Sequence, residues 1–284
     1  MTKTLYVTDL DGTLLNPESR VSDFSADLLS RLSEQGARIT CATARTPATV
    51  EPLLRSTLTL PPAIVMTGAA LWDRQNLRYI DVSYIPEENL QAIFDVCRRA
   101  GMRPMSYTIA PESATIECYF NAEPLRHERK FIEERSRLRF KRMIVGRADL
   151  GLYDCRPCTA LVFSIGPIER VRLAGEMLGE SVDCSYSAYP DIFNPEIGYL
   201  EVFAPGVSKA SAVEKLRRRE GADRLVVFGD NLNDLPMMAV ADLSVAVANA
   251  MPETRESASI VIGPNTADSV ARFIADDFAL SSGL

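Results

Sequence analysis

Two rhythms of hydrophobic and polar positions run along the chain, and the change from one to the other marks its organisation. Over residues 1–81, short apolar runs rich in β-branched residues alternate with segments of helical period. Leu5–Thr8, Ile39–Ala42 and Ala63–Met66 read as buried strands. The segment between the first two opens at Ser22, carries Leu28, Leu29 and Leu32 on one helical face and stops at Gly36. Cap, stripe and terminator therefore agree on a helix. Pro47 stands at the first turn of a second helix. Strand, helix and strand in succession predict β-α-β units and a parallel sheet.

From residue 82 to residue 187 the texture is different. Pro86–Ala100 reads as a helix ended by Gly101, followed by the alternating runs MRPMSYTI and ATIECYF and by a charged helix over Glu123–Arg137. CTALVFSI, a helix around Glu169–Leu178 and VDCSYSAY complete an α+β block. The earlier rhythm then resumes with GYLEVFAP, a helix over Ser208–Arg219, LVVFGD, LSVAVAN, SIVIG and a terminal helix. The expected fold is α/β, with a doubly wound parallel-sheet core formed by residues 1–81 and 188–284. An α+β domain over residues 82–187 interrupts it.

Composition narrows the function. With 284 residues, 46% of them apolar, the chain can fill one large or two moderate cores. A net charge of −7 argues against a general affinity for nucleic acid or anionic membrane, both of which select clustered Lys and Arg. The one basic stretch, LRHERKFIEERSRLRFKR, is interleaved with Glu128, Glu133 and Glu134 and reads as a solvated helix. The opening MTKTLYVTDLDGTLL is too acidic and too short in its apolar run for a signal peptide, so a cytoplasmic protein is expected. Scattered cysteines in a chain of this length are expected to be reduced thiols. Cys155-Arg-Pro-Cys158 has no companion motif, and His127 is far from it in sequence. Loop or strand-edge cysteines are expected there rather than a metal or redox site.

The candidate chemistry sits at strand ends. Asp9-Leu10-Asp11-Gly12-Thr13 closes the first strand, and two carboxylates two residues apart on extended chain point the same way. At about 4 Å and an effective dielectric near 20, each like-charge contact costs roughly 4 kcal/mol, which a divalent cation would relieve. A polar turn is the plain alternative for the two aspartates alone. Gly12 permits a sharp exit that leaves N–H groups facing an anion. Gly229-Asp230-Asn231-Leu232-Asn233-Asp234 closes another apolar strand with hard oxygen donors of the kind Mg²⁺ takes. In an open α/β sheet, strand ends far apart in sequence converge on one crevice. Thr43 ends strand two and could offer a hydroxyl to a phosphoryl oxygen or simply cap a turn. Lys209 opens the helix before the Asp230 strand and could neutralise phosphate or serve as a surface charge.

Taken together, DLDGTLL, the threonine of ATAR, GVSKA and GDNLNDLPMM resemble in order and placement the motifs of haloacid-dehalogenase-superfamily phosphatases. The insertion resembles the type IIB cap of the Cof-like branch. Carried over, the resemblance makes Asp9 a nucleophile and Asp11 a general acid/base, with Thr43, Lys209, Leu10 and Gly12 binding the phosphoryl group. It implies Mg²⁺ held by Asp9, Asp230 and the backbone carbonyl of Asp11, with Asp234 and Asn233 supporting it. Arg45 would face the substrate or brace the next helix. The chain departs from the common forms A-T-G-R, S-K-G and N-G-A at Ala44, Ala210 and Thr67. Only Thr67, which removes an amide near the expected site mouth, alters possible substrate contacts.

The activity so implied is Mg²⁺-dependent hydrolysis of a small phosphorylated metabolite, a sugar phosphate first, through a phospho-aspartyl intermediate. A phosphomutase of the phosphomannomutase type, with a similar core and cap and the same aspartate, is the alternative. A phospho-acceptor signalling module shares the acidic cluster, Thr and Lys, yet such modules lack a large insertion.

Overall fold

The computed structural model describes residues 2–120, 123–145, 157–191 and 194–282. Two compact units divide the chain, Met1–Ile80 with Ser208–Leu284, and Asp81–Val207. The first unit begins with β1 (Thr4–Thr8), α1 (Asp23–Glu34), β2 (Arg38–Cys41), α2 (Pro47–Leu53), β3 (Ala63–Val65), β4 (Ala70–Asp73) and β5 (Arg78–Val82). Helix α1 starts as its sequence dictates: the Ser22 hydroxyl accepts from Ser25 N at 3.0 Å, and Leu29 and Leu32 are buried. Ala37 N returns to Leu32 O at 2.9 Å as the helix ends.

The second unit holds α3 (Glu87–Arg99), β6 (Met105–Thr108), β7 (Ile116–Phe120), α4 (Arg126–Ser136), β8 (Lys141–Val145), β9 (Thr159–Pro167), α5 (Ile168–Ser181), β10 (Ser185–Pro190) and β11 (Ile197–Phe203). Its sheet runs β10-β11-β9-β6-β7-β8, antiparallel except for the β7–β8 pair. Two expectations need correction here. GYLEVFAP, placed in the core at the sequence level, is β11, hydrogen-bonded on one side to β9 and on the other to β10. The boundary therefore falls at residue 207 rather than 187. A short apolar strand shows its period but not its sheet, which long-range pairing decides. The charged helix begins at Arg126 and not at Glu123, since Glu123 precedes Pro124 and is steered out of the helical region. Cys155 lies outside the described residues, whereas Cys41, Cys97, Cys118, Cys158 and Cys184 are free thiols. His127 Nε2 meets the Ile165 carbonyl at 3.2 Å.

The chain then returns to the first unit with α6 (Lys209–Glu220), β12 (Arg224–Gly229), α7 (Leu235–Ala239), β13 (Leu243–Ala246), α8 (Pro252–Ser257), β14 (Ile260–Val261) and α9 (Ser269–Ser282). Its five-stranded sheet is parallel throughout, in the order β14-β13-β12-β1-β2. Every residue of β1 is buried, and so is Leu225–Gly229 of β12, as continuous apolar runs in a doubly covered sheet require. An Ala42–Ile64 bridge sets β3 beside β2, and β4 and β5 extend from β3 as an antiparallel meander. Chain order runs outward from β1 toward β2 on one side and toward β12 on the other. The switch point is thus at β1 and β12, where such folds bind ligands beyond the carboxyl ends of the strands. Among the described residues no helix is long and apolar enough to cross a membrane.

Candidate active site

Asp9 and Asp230 are the first residues past two adjacent parallel strands. Thr8 pairs with Phe228, and Asp9 N donates to Phe228 O at 2.9 Å, which brings both strand ends level. On the other side, Ala42 N donates to Thr8 O at 2.9 Å and sets Thr43 two residues beyond β2. Separation along the chain is large, but three neighbouring strands deliver Asp9, Asp230 and Thr43 to one edge.

The buried centre is a lysine among carboxylates. Ser208 caps α6 through Ser211 N at 3.1 Å, so Lys209 opens the helix. Its Nζ donates to Asp9 Oδ1 at 2.5 Å and to Asp234 Oδ1 at 2.8 Å. Lys209 is 3% exposed, Asp9 6% and Asp234 0%. Asp234 Oδ2 in turn accepts from the backbone N–H groups of Asp230 and Asn231 at 3.1 and 3.2 Å, tying its loop together. Thr13 Oγ1 donates to Asp230 Oδ1 at 2.9 Å. Oxygens of Asp9, Asp230 and Asp234 all lie within 4.8 Å of one another.

Three carboxylates face one ammonium, and the electrostatics record the imbalance. Burial pushes Asp9 up to about 7, with Lys209 opposing and Asp234 adding to the rise. Asp230 goes up to about 6, again first through burial and then through Asp234. Burial would lower the Lys209 ammonium, but Asp9 and Asp234 outweigh it and hold it above the ordinary lysine value. Hard oxygens with surplus negative charge in a partly buried crevice suit a small divalent cation, so the donor set fits Mg²⁺.

The loop carrying Leu10, Asp11 and Gly12 is shaped by close approach. Gly12 has φ +80°, and a Cβ there would stand 2.3 Å from Asp230 Oδ2. Its carbonyl accepts from Asn249 Nδ2 at 2.8 Å, and Asn249 Oδ1 accepts from Asn265 N at 2.9 Å. Gly12→Ala is expected to cost about 1–3 kcal/mol of stability, from the strained φ and the displaced Asp230 carboxylate. The urea midpoint measures it; an unchanged midpoint would mean that the loop yields without disturbing Asp230.

Asp11 projects outward, its side chain 51% exposed, and is gripped on both oxygens by Arg45, Nε to Oδ2 at 2.7 Å and Nη2 to Oδ1 at 2.5 Å. Thr43 is buried, and its Oγ1 accepts from Arg45 N at 3.2 Å. Leu10 is buried and Asn233 exposed. Asp9, Asp230, Asp234 and Lys209 are thus brought into direct contact or near it. Asn249 went unnoticed in the sequence, although it too follows an apolar strand, and the Asp11–Arg45 pair was not foreseen.

The sequence model of the haloacid dehalogenase-like hydrolases matches residues 6–274. The chain belongs to that family. Among its relatives, pyridoxal phosphate phosphatase YbhA of Escherichia coli is 23% identical over 96% of this chain and 98% of its own length. The 5-amino-6-(5-phospho-D-ribitylamino)uracil phosphatase YcsE of Bacillus subtilis is 24% identical over 95% of this chain and 94% of its own. The solved structure of the haloacid dehalogenase subclass IIB sugar phosphatase BT4131 matches with a TM-score of 0.70 at 20% identity, covering 97% of this chain and 99% of that one. At that identity the match shows a shared fold, a haloacid dehalogenase core with an inserted α+β domain. The expectation of a phosphatase enzyme agrees with the family and with the names of both full-length relatives.

Proposed function

We propose that the protein is a Mg²⁺-dependent phosphomonoester hydrolase of small phosphorylated metabolites that works through a phospho-aspartyl intermediate on Asp9. The observation that carries the proposal is the buried Lys209 ammonium bridging Asp9 and Asp234 beside Asp230. A carboxylate held this way keeps one orientation, and the ammonium can offset charge on an incoming phosphoryl group.

A carboxylate oxygen of Asp9 bonds to phosphorus as the bond from phosphorus to the ester oxygen breaks. The released electron pair goes to that oxygen, which takes a proton from Asp11 and departs as the alcohol. Asp11, now ionised, removes a proton from a water molecule whose oxygen attacks phosphorus. The bond from Asp9 to phosphorus then breaks, inorganic phosphate leaves, and both aspartates return to their starting states. Arg45 grips both oxygens of Asp11 and must turn away before that carboxyl can give a proton to the leaving oxygen, which frees its guanidinium for the substrate. Thr43 and the N–H groups of Leu10 and Gly12 would bind phosphoryl oxygens. Asp9, Asp230 and the Asp11 carbonyl would hold Mg²⁺, with Asp234 and Asn233 in support. The bound ion supplies charge neutralisation between nucleophile and substrate oxygens.

A sugar phosphate is the first choice of substrate. The names of the relatives join phosphate to pyridoxal, a ribitylaminouracil and a sugar, so the shared fold leaves the alcohol open. We place the activity in the cytoplasm. The test is phosphate release from a panel of sugar phosphates, nucleotides and p-nitrophenyl phosphate. Release should disappear in EDTA and return with excess Mg²⁺. Equal release in EDTA and in Mg²⁺ would overturn the metal dependence, and release only into a second ester with a bisphosphate activator would favour a mutase.

A further inference from the structure

The second unit contains a pair of cations that hydrolysis at Asp9 does not use. Lys141 opens β8, two residues before Met143, which is in register with Cys118 and through it with Tyr107. Alternation along the strands sets these side chains on one face of the sheet. Lys141 is 8% exposed, and its ammonium lies 4.6 Å from the centre of the Tyr107 ring. Among the described residues it makes no hydrogen bond and no ion pair.

Arg135 of α4 is its neighbour in charge. The guanidinium lies 3.6 Å over the Phe131 ring, and Phe131 stacks on Phe163 at 4.9 Å. Phe163 meets Tyr107 edge-on at 5.9 Å, so one aromatic ring joins the two cation-bearing rings. The only carboxylate paired with Arg135 among the described residues is Glu134, the residue before it, at 3.5 Å. Glu201, a buried carboxylate in register with Phe163, interacts with the Tyr189 hydroxyl.

An ammonium kept from water is costly unless paired, and a second cation nearby adds to the cost. Aromatic faces return part of it but carry no net charge. Burial brings the Lys141 ammonium down to about 8, with Cys118 opposing and Arg135 adding to the fall. Glu134 answers Arg135, and the buried Glu201 acts on the Tyr189 and Tyr107 hydroxyls, but no described carboxylate pairs with the Lys141 ammonium, which an anion would satisfy.

We propose that Lys141 and Arg135 form a binding site, within the second unit, for an anionic oxygen group, the carboxylate or phosphate of a small molecule. Lys141 offers a point charge from the sheet, and Arg135 offers the edge of a guanidinium whose face is already covered by Phe131. Burial beside the Tyr107 ring keeps water from Lys141 and strengthens its contact, while the Arg135 side chain is 32% exposed. The anionic group belongs to the alcohol part of the substrate or to a separate ligand. The site stands whether or not Asp9 carries the reaction.

The test uses the full chain in EDTA, with thermal unfolding followed in sodium malonate or sodium phosphate against NaCl at matched ionic strength. Each anion is expected to raise the Tm of the wild type by about 3 °C more than that of Lys141→Met or Arg135→Gln. Anion bound at the Asp9 site contributes equally to all three proteins and drops out of the difference. In NaCl alone, Lys141→Met should be at least as stable as wild type, because a buried unpaired charge has gone. Should Lys141→Met not fold, Arg135→Gln still supplies the comparison, and malonate should slow trinitrophenylation of Lys141 in the wild type. A KM increase in the variants confined to esters whose alcohol carries a carboxylate or second phosphate assigns the anion to the substrate. Unchanged KM for every ester, with the Tm difference intact, assigns it to a separate ligand. Equal anion responses in wild type and variants, with labelling of Lys141 indifferent to malonate, overturn the proposal.

Discussion

Asp9→Asn lowers phosphate release on the order of 10⁵-fold while leaving the fold intact. The amide keeps the shape of the carboxylate and can still accept the Lys209 hydrogen bond through its oxygen, but it is too poor a nucleophile to attack phosphorus. Uncatalysed hydrolysis of phosphate monoesters is so slow that acceleration of up to ~10²¹-fold is on record, so loss of the covalent route cannot be hidden by binding alone. Stability should hold or rise, because the substitution removes one of three carboxylates crowded within 4.8 Å. Purified variant and wild type compared in turnover and in thermal unfolding check both halves. A variant that retains turnover, or loses it only because it unfolds, would deny Asp9 its chemical role.

Lys209→Met is expected to damage stability and activity together. The ammonium is buried and bonded to two carboxylates, so its loss leaves Asp9, Asp230 and Asp234 facing one another without compensation. Breaking a buried pair in this way costs about 3–5 kcal/mol. Turnover should drop by roughly 10²–10³-fold through loss of charge stabilisation on the phosphoryl group. The stability loss depends on pH with a definite sign. Asp9 stands at about 7 and Asp230 at about 6 even with Lys209 present, both above the ordinary aspartate value of 3.8. The folded state therefore binds protons more readily than the unfolded chain, and stability recovers as pH falls through about 7 toward 4. Added Mg²⁺ should recover it as well. Urea unfolding of the variant at pH 7.5 and pH 5, with and without Mg²⁺, checks both; a deficit indifferent to pH and metal would mean that Lys209 acts by packing.

Much of this arrangement was legible in the sequence because the parallel sheet is buried on both faces. β1 and β12 read as unbroken apolar runs, each ending abruptly in an aspartate, and an acidic residue in that place has few structural uses. Gly12 was legible as the residue that lets the chain leave β1 sharply, whereas the Asp230 carboxylate that leaves no room for a Cβ there is visible only in the structure. The hairpin from β4 to β5 went unread because its turn lacks the usual glycine. Asp73 organises it instead, with Oδ1 accepting from Gln75 N and Asn76 N, and Leu77 takes the left-handed conformation at φ +51°. β11 was recognised as a strand but assigned to the wrong sheet, since pairing with β9 and β10 is a long-range fact with no local signature. The grip of Arg45 on Asp11 was hidden similarly, as the two residues lie on separate strand ends.

The covalent step at Asp9 is tested most directly by catching it. Enzyme turning over a good substrate with Mg²⁺ is quenched in acid, digested and sequenced by mass spectrometry. The expected result is a phosphoryl group on the peptide that carries Asp9, located at Asp9, released by hydroxylamine as an acyl phosphate should be, and missing from Asp9→Asn. Steady turnover with no phosphorylated peptide at any time, or with the phosphoryl group on another residue, would contradict the phospho-aspartyl mechanism.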